Sequence, residues 1–278
     1  MSEQFPTVGI IGEGPLAQMM AAPALALGVD IVNIQSDLVA DAKYSVTSII
    51  GTSIPISQVK TLESSGSTFR PNSQAMEFVK EWNEGQDLQE PYDAVFSVLV
   101  ARSPHGQASA WTPTEITEVT ITPAPALSPS QKAMAQSLAL ELVKQSGVVG
   151  VAEVEIILRG GELSARQLSL GPSFNGTWTI EGSRTSQFEQ HLRAILDLPL
   201  GDPSLTAAYS VTGTYVGEGN MYRPYLHLMA RSPGLKFHQY LSGVGQAKGH
   251  VTAMGSDLLD LTECVTHAVD YMSGVIDE

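Results

Sequence analysis

A single cysteine, Cys264, stands in 278 residues. That excludes an intramolecular disulfide framework and any zinc site built from several thiolates. Charge is scarce as well: 16% of the residues are charged, where globular domains carry about a quarter. Basic charge is scarcest, with 15 Lys and Arg against 29 Asp and Glu and a net charge of −14. Such a chain cannot neutralise a phosphate backbone, which argues against nucleic acid as a partner, and an anionic membrane surface is disfavoured for the same reason. No uninterrupted apolar run reaches the ~18 residues of a membrane span. The opening Met1–Gly12 lacks the basic stretch and cleavage site of a secretory signal. What is present is apolar material for a core, 43% of the residues. The expectation is a soluble, cytoplasmic globular protein of one large or two small domains.

The first forty residues read as a β–α–β unit. Thr7 to Ile11 is a short apolar strand, Gly12-Glu13-Gly14-Pro15 a turn, and Leu16 to Leu27 a helix rich in Ala, Leu and Met. Pro15 suits the first helical position, where its missing N–H costs nothing. Pro23 predicts a kink, and Gly28 ends the helix. Val29 to Ile34 supplies a second strand, parallel to the first by the usual right-handed crossover. From Ser36 to Gln89 the pattern degrades into Ser, Gly and Pro, with a short helix expected over Gln74 to Trp82.

Regular structure returns with a strand at Ala94 to Arg102, a turn at Ser103 to Gln107 and a strand near Ala108 to Thr112. Thr114 to Thr122 alternates like one half-exposed strand. Ser128 caps a helix over Ser130 to Gln145 with Pro129 in its first turn, and Gly147 closes it. Val148 to Leu158 and Glu162 to Leu170 form a hairpin around Gly160-Gly161. Thr185 to Leu196 is an amphipathic helix. Strands are expected at Ala207 to Gly217, Tyr225 to Met229, Lys236 to Leu241 and His250 to Met254, then a helix over Asp257 to Tyr271. The fold class is α/β.

Three stretches carry a family resemblance. Residues 7–20 (TVGIIGEGPLAQMM), residues 178–201 (WTIEGSRTSQFEQHLRAILDLPLG), and Lys248-Gly-His-Val-Thr252 with Asp270-Tyr-Met-Ser-Gly274 resemble the N5-carboxyaminoimidazole ribonucleotide synthetases, ATP-grasp enzymes of purine synthesis. The likeness covers residues 7–35 and 94–278. It implies a partial Rossmann-like unit over residues 1–48, a shortened connector over 49–93 where a small lobe would stand, a large-lobe remnant over 94–200 and a small β-rich C-terminal domain over 201–278. It also implies a homodimer. Ligand contacts carried over by the resemblance are Gly12, Gly14 and Lys248.

The departures from the family pattern matter as much. The lid motif, resembling Lys-(Arg/Thr)-x-x-Gly-Gly-Tyr-Asp-Gly-x-Gly, is missing from the sequence, and Ser36 to Gln89 is a domain of ~100 residues too short. The family glutamine after the second glycine is Pro15. Of the carboxylates that hold Mg²⁺ in the family, Glu155 stands at the first position. The later Asn-Glu pair reads Arg166-Gln167, and an arginine and two histidines beyond it read Gly171, Ser173 and Thr177. A guanidinium repels Mg²⁺ and an amide binds it poorly. Glu155 is therefore expected as a relic rather than a working metal ligand, with no catalytic residue and no cofactor retained.

The other polar signals have plainer roles. Phe188, Leu192, Ile195 and Leu196 recur at helical spacing, which marks core and dimer packing. His191, His238 and His250 follow no metal spacing, which suits hydrogen-bonded structural roles. The expectation is thus a catalytically degenerate relative acting as a binding, regulatory or scaffold protein. One alternative is a minimal ligase that uses ATP and Mg²⁺ to make N5-carboxyaminoimidazole ribonucleotide. Another is a sensor of a nucleotide-like anion held near Gly12 and Lys248.

Overall fold

The computed structural model describes residues 8–11, 14–34, 47–50, 78, 81–82, 84, 91–216, 222–244 and 247–277. Two sheets organise them. The first is small: β1 (Val8–Ile11) pairs in parallel with β2 (Ile31–Ile34) and antiparallel with β3 (Thr47–Ile50). Between β1 and β2 run two short helices, α1 (Pro15–Met19) and α2 (Ala21–Leu27). The expected single helix breaks at Met20, not at Pro23. A proline lacks the N–H for the carbonyl four residues back and its ring clashes with that carbonyl, which here belongs to Met19. Gly28 closes α2 in the left-handed conformation, φ 71°.

The second sheet has nine strands in the order β11-β12-β10-β7-β6-β4-β8-β9, with β5 on the outer part of β4. β4 (Ala94–Arg102) and β8 (Gly150–Arg159) pair along nine residues, and β9 (Glu162–Leu170) continues beyond β8. β5 spans Ala108–Ala110. The expected strand over Thr114 to Thr122 is two strands, β6 (Thr114–Ile116) and β7 (Thr120–Thr122), paired with each other. Thr117 makes the reversal: its hydroxyl donates to the Val119 carbonyl at 2.8 Å and accepts from the Val119 N–H at 3.3 Å. β10 (Tyr209–Val216), β11 (Lys236–Val244) and β12 (Ala247–Gly255) complete the sheet. Because β7 pairs with β10, the expected boundary near residue 200 falls inside one continuous sheet.

Helices cover one face of it. α3 (Pro129–Ser146) starts at Ser128 with a reciprocal cap to Gln131 and ends at Gly147, as the sequence predicts. It packs Ala135, Ala139 and Val143 against Phe96, Val98, Val100, Val154 and Ile156. Phe78 and Trp82 of the expected Gln74–Trp82 helix are helical, as is Glu81, and the two aromatics join that cluster; residues 74–77, 79 and 80 lie outside the described residues. Three helices occupy the connections that follow, α4 (Thr179–Gly182), α5 (Gln187–Ile195) and α6 (Tyr222–Arg231). α7 (Leu258–Met272), capped by Asp257, covers the β10–β12 half with Val265 and Ala268. α6 replaces the strand expected over Tyr225 to Met229. Its two buried residues, Pro224 and Leu228, are four apart and share one helical face.

Candidate functional site on the polar face of the sheet

Directly opposed residues on neighbouring strands point to the same side of a sheet. Following the register from β9 inward, Gln167 opposes Glu155, Glu155 opposes Ser97, and Ser97 opposes Thr114. Farther along, Thr122 opposes Ser210, Thr212 opposes Thr252, and His250 opposes both Thr214 and His238. The sheet therefore has an apolar face under α3 and α7 and a polar face crossed by Gln, Glu, Ser, Thr and His. The segment from Ser173 to Glu181, with α4 in it, reaches both ends of this polar row.

At the β8 end, Glu153 and Glu155 lie two residues apart on one strand, hence on one side. Ser97 Oγ donates to Glu153 Oε1 at 2.5 Å, and Asn175 Nδ2 donates to the same oxygen at 2.8 Å. Glu155 Oε1 meets the Arg166 Nη1 at 2.9 Å. That nitrogen also donates to the Tyr92 hydroxyl at 3.2 Å, and the guanidinium carbon stands 5.4 Å from the centroid of the Tyr92 ring. Arg166 reaches this place through a β-bulge: the β8–β9 register shifts between Glu155 and Ile156, leaving Arg166 without a directly opposed residue. Burial raises the Glu155 carboxyl above its ordinary range; Arg166 opposes that shift and the nearby Glu153 adds to it.

At the β11–β12 end, Glu181 Oε1 and His238 Nε2 are 2.6 Å apart. The His238 ring stacks on His250 with centroids 4.6 Å apart and 12° between planes. His250 Nδ1 meets the Tyr240 hydroxyl at 3.0 Å, and Phe174 lies against Tyr240. Burial, then the charge of His238, pushes His250 down to about 3, so it is neutral at physiological pH. His191, on α5, accepts a hydrogen bond from the Val151 N–H at 3.0 Å and is held by burial at about 4. These histidines have the structural roles that their spacing predicts.

Of the ligand contacts expected from sequence, Gly12 lies outside the described residues. Gly14 caps α1 with φ −82° and ψ 179°, an extended conformation open to any residue. α1 is five residues long, too short to build the dipole of a phosphate-binding helix. It lies against β11, the partner of the strand that carries Lys248. Lys248 sits between Ala247 and Gly249 on β12, at a break in the register with both β10 and β11 that leaves it without a directly opposed residue, and it is half-buried.

The stretch from Trp178 to Gly201 is packing. Phe188, Leu192 and Ile195 meet Val8, Ile10 and Leu16 within the chain. Gln187 is fully buried; its amide accepts from the Ser173 N–H at 2.9 Å and donates to the Ser173 carbonyl at 2.7 Å. Gln190 does the same for Gly201, at 2.7 and 2.9 Å. Sequence reasoning missed Glu153, although its alternation with Glu155 was there to read. It also missed the Glu181–His238 pair, whose members are 57 residues apart and which no spacing could reveal.

This fold has known counterparts. The ATP-grasp domain profile matches residues 70–188, and the large antiparallel sheet with its helical cover is the α/β architecture of that class. A crystal structure of N5-carboxyaminoimidazole ribonucleotide synthetase from Thermus thermophilus superposes with a TM-score of 0.71 over 97% of this chain and 98% of that one, at 21% identity. In sequence, the N5-carboxyaminoimidazole ribonucleotide synthase of Mycobacterium tuberculosis is 39% identical over 191 residues, 64% of this chain and 44% of its own. That of Corynebacterium ammoniagenes is 36% identical over 178 residues, 58% and 43% respectively. Over the matched stretch the chain is similar to the N5-carboxyaminoimidazole ribonucleotide synthases, and it spans less than half the length of the curated relatives it matches.

ATP-grasp enzymes work with Mg²⁺, an ion that takes hard oxygen ligands in octahedral geometry. Two carboxylates of the right kind stand on the polar face. One, however, is engaged by Ser97 and Asn175 and the other by a guanidinium, with an amide, Gln167, opposite. Among the described residues no group of three His, Cys, Asp or Glu converges to hold a metal ion. The side chains in this arrangement do not fit Mg²⁺. Among the described residues, too, no helix is long and apolar enough to cross a membrane.

Proposed function

We propose that this chain is an ATP-dependent carbon–nitrogen ligase of purine synthesis, forming N5-carboxyaminoimidazole ribonucleotide from aminoimidazole ribonucleotide, ATP and bicarbonate. One observation carries the reading: 39% identity over 191 residues to proteins named for that product. The polar face adds support, since it holds Glu153 and Glu155 on the side of the sheet opposite the apolar packing of α3 and α7. In this reading the terminal phosphoryl group of ATP leaves as phosphate and a carbon–nitrogen bond forms at the exocyclic amine of the ribonucleotide. The test is phosphate release by the purified chain with ATP, Mg²⁺, bicarbonate and aminoimidazole ribonucleotide. We expect release that needs all four and falls at least tenfold in Glu155→Gln, which alters a carboxylate of the site. Release no greater than that of heat-killed protein would overturn the reading.

A second reading rests on the Arg166–Glu155 pair. A guanidinium at the carboxylate, an amide opposite it and a segment at 36–89 too short for a lid lobe describe a relative that has left catalysis and kept binding. No phosphate release, together with a thermal shift by aminoimidazole ribonucleotide, would favour that reading. Both readings carry the expectation of a homodimer in the cytoplasm.

A further inference from the structure

We infer that the Arg166 guanidinium is a tethered cation that closes the Glu153–Glu155 carboxylates to divalent metal in the resting chain. The carboxylates are two residues apart on β8 and share the polar face. Their neighbours Ser97, Gln167, Ser169 and Asn175 are neutral, and Arg166 brings a positive charge into contact with Glu155. The bulge places Arg166 beside Glu155, and the Tyr92 hydroxyl and ring hold the guanidinium there. A metal ion entering between the carboxylates would face the guanidinium's repulsion until Arg166 let go of Glu155. Metal affinity is then reduced by the fraction of time that Glu155 is free: a free fraction of about one tenth weakens binding tenfold. Gln167, opposite Glu155, contributes no charge that would shift the balance toward the metal.

The inference concerns the resting face and goes beyond the ligase reading; phosphate release tests that reading separately. The test is a titration with Mn²⁺ as the probe, following free Mn²⁺ by electron paramagnetic resonance, on the wild-type chain, Arg166→Gln and Arg166→Lys. Arg166→Gln should bind Mn²⁺ at least tenfold more tightly than the wild type, and 5–10 mM Mg²⁺ (about the concentration that fills a weak site) should raise its melting temperature but not the wild type's. Arg166→Lys keeps a tethered charge and should stay as insensitive as the wild type, which separates loss of charge from damage to the fold. Equal Mn²⁺ affinity in wild type and Arg166→Gln would overturn the inference. So would a wild-type melting temperature that rises with Mg²⁺ as much as the variant's.

Discussion

At the scale of single residues, buried neutral histidines set how the protein answers acid. His191 has a folded-state value of about 4 against an ordinary 6.5. Above pH 6.5 the folded and unfolded chains are both neutral there, and its contribution is fully present. Below 6.5 the unfolded chain takes up a proton that the folded chain refuses, so stability falls until about pH 4, by roughly 3 kcal/mol in all. His191→Asn keeps an acceptor for the Val151 N–H and removes the titration. Urea unfolding at pH 7, 6 and 5 should show the wild type losing more stability over that range, by up to about 1.4 kcal/mol per pH unit; parallel losses in both proteins would contradict this. Sequence alone points to a hydrogen-bonded structural role for His191, since it shares no metal spacing with His238 or His250. The Arg166–Glu155 contact was legible only as a change of residue type. That the guanidinium turns onto the carboxylate depends on a bulge, and bulges leave no mark in the hydrophobic pattern.

At the scale of elements, local signals served well where a cap or turn residue spoke for itself. Ser128, Pro129 and Gly147 fix α3, Gly160 and Gly161 fix the β8–β9 hairpin with φ 57° and 88°, and Asp257 opens α7. They failed where an element is short and held from outside. Tyr225 to Met229 contains aromatic and apolar residues that read as a strand, yet it is a helix that buries Leu228, with Tyr225 beside it, in the cluster under α7. Thr114 to Thr122 alternates throughout, but the Thr117 hydroxyl reverses the chain midway. The segment before α5 has no repetitive pattern at all; it is held by the Gln187 amide. Gln187→Leu keeps the volume and orphans the buried N–H of Ser173, whose carbonyl retains the Gly176 N–H. The expected loss is about 1–3 kcal/mol, for one unpaired buried group, measured by urea denaturation. A loss under about 1 kcal/mol would show that Ser173 finds other partners.

At the scale of the whole molecule, the nine-stranded sheet ties together segments that the sequence divides. β7, from the middle of the chain, lies between β6 and β10, so the strands after residue 200 complete the sheet rather than form a unit of their own. A chain ending at residue 200 would expose the edge of β7 and leave Val119 and Ile121 without the apolar partners they have in the cluster under α7. It should be insoluble or lack a cooperative thermal transition by circular dichroism; a folded, soluble fragment would contradict the single-sheet description. The same continuity creates the site, because the polar row from Gln167 to His238 exists only once both halves of the sheet are joined. No motif scan could assemble it, since its members come from eight strands.

Under the proposed function, this polar face serves carbon–nitrogen ligation. Transfer of carbon from labelled bicarbonate to aminoimidazole ribonucleotide tests it most directly, because it reports the bond formed and not merely ATP consumed. The account predicts acid-labile label in the ribonucleotide, equimolar with phosphate released and lost in Glu155→Gln. Phosphate and label both at the level of heat-killed protein, with the chain folded and soluble, would contradict it.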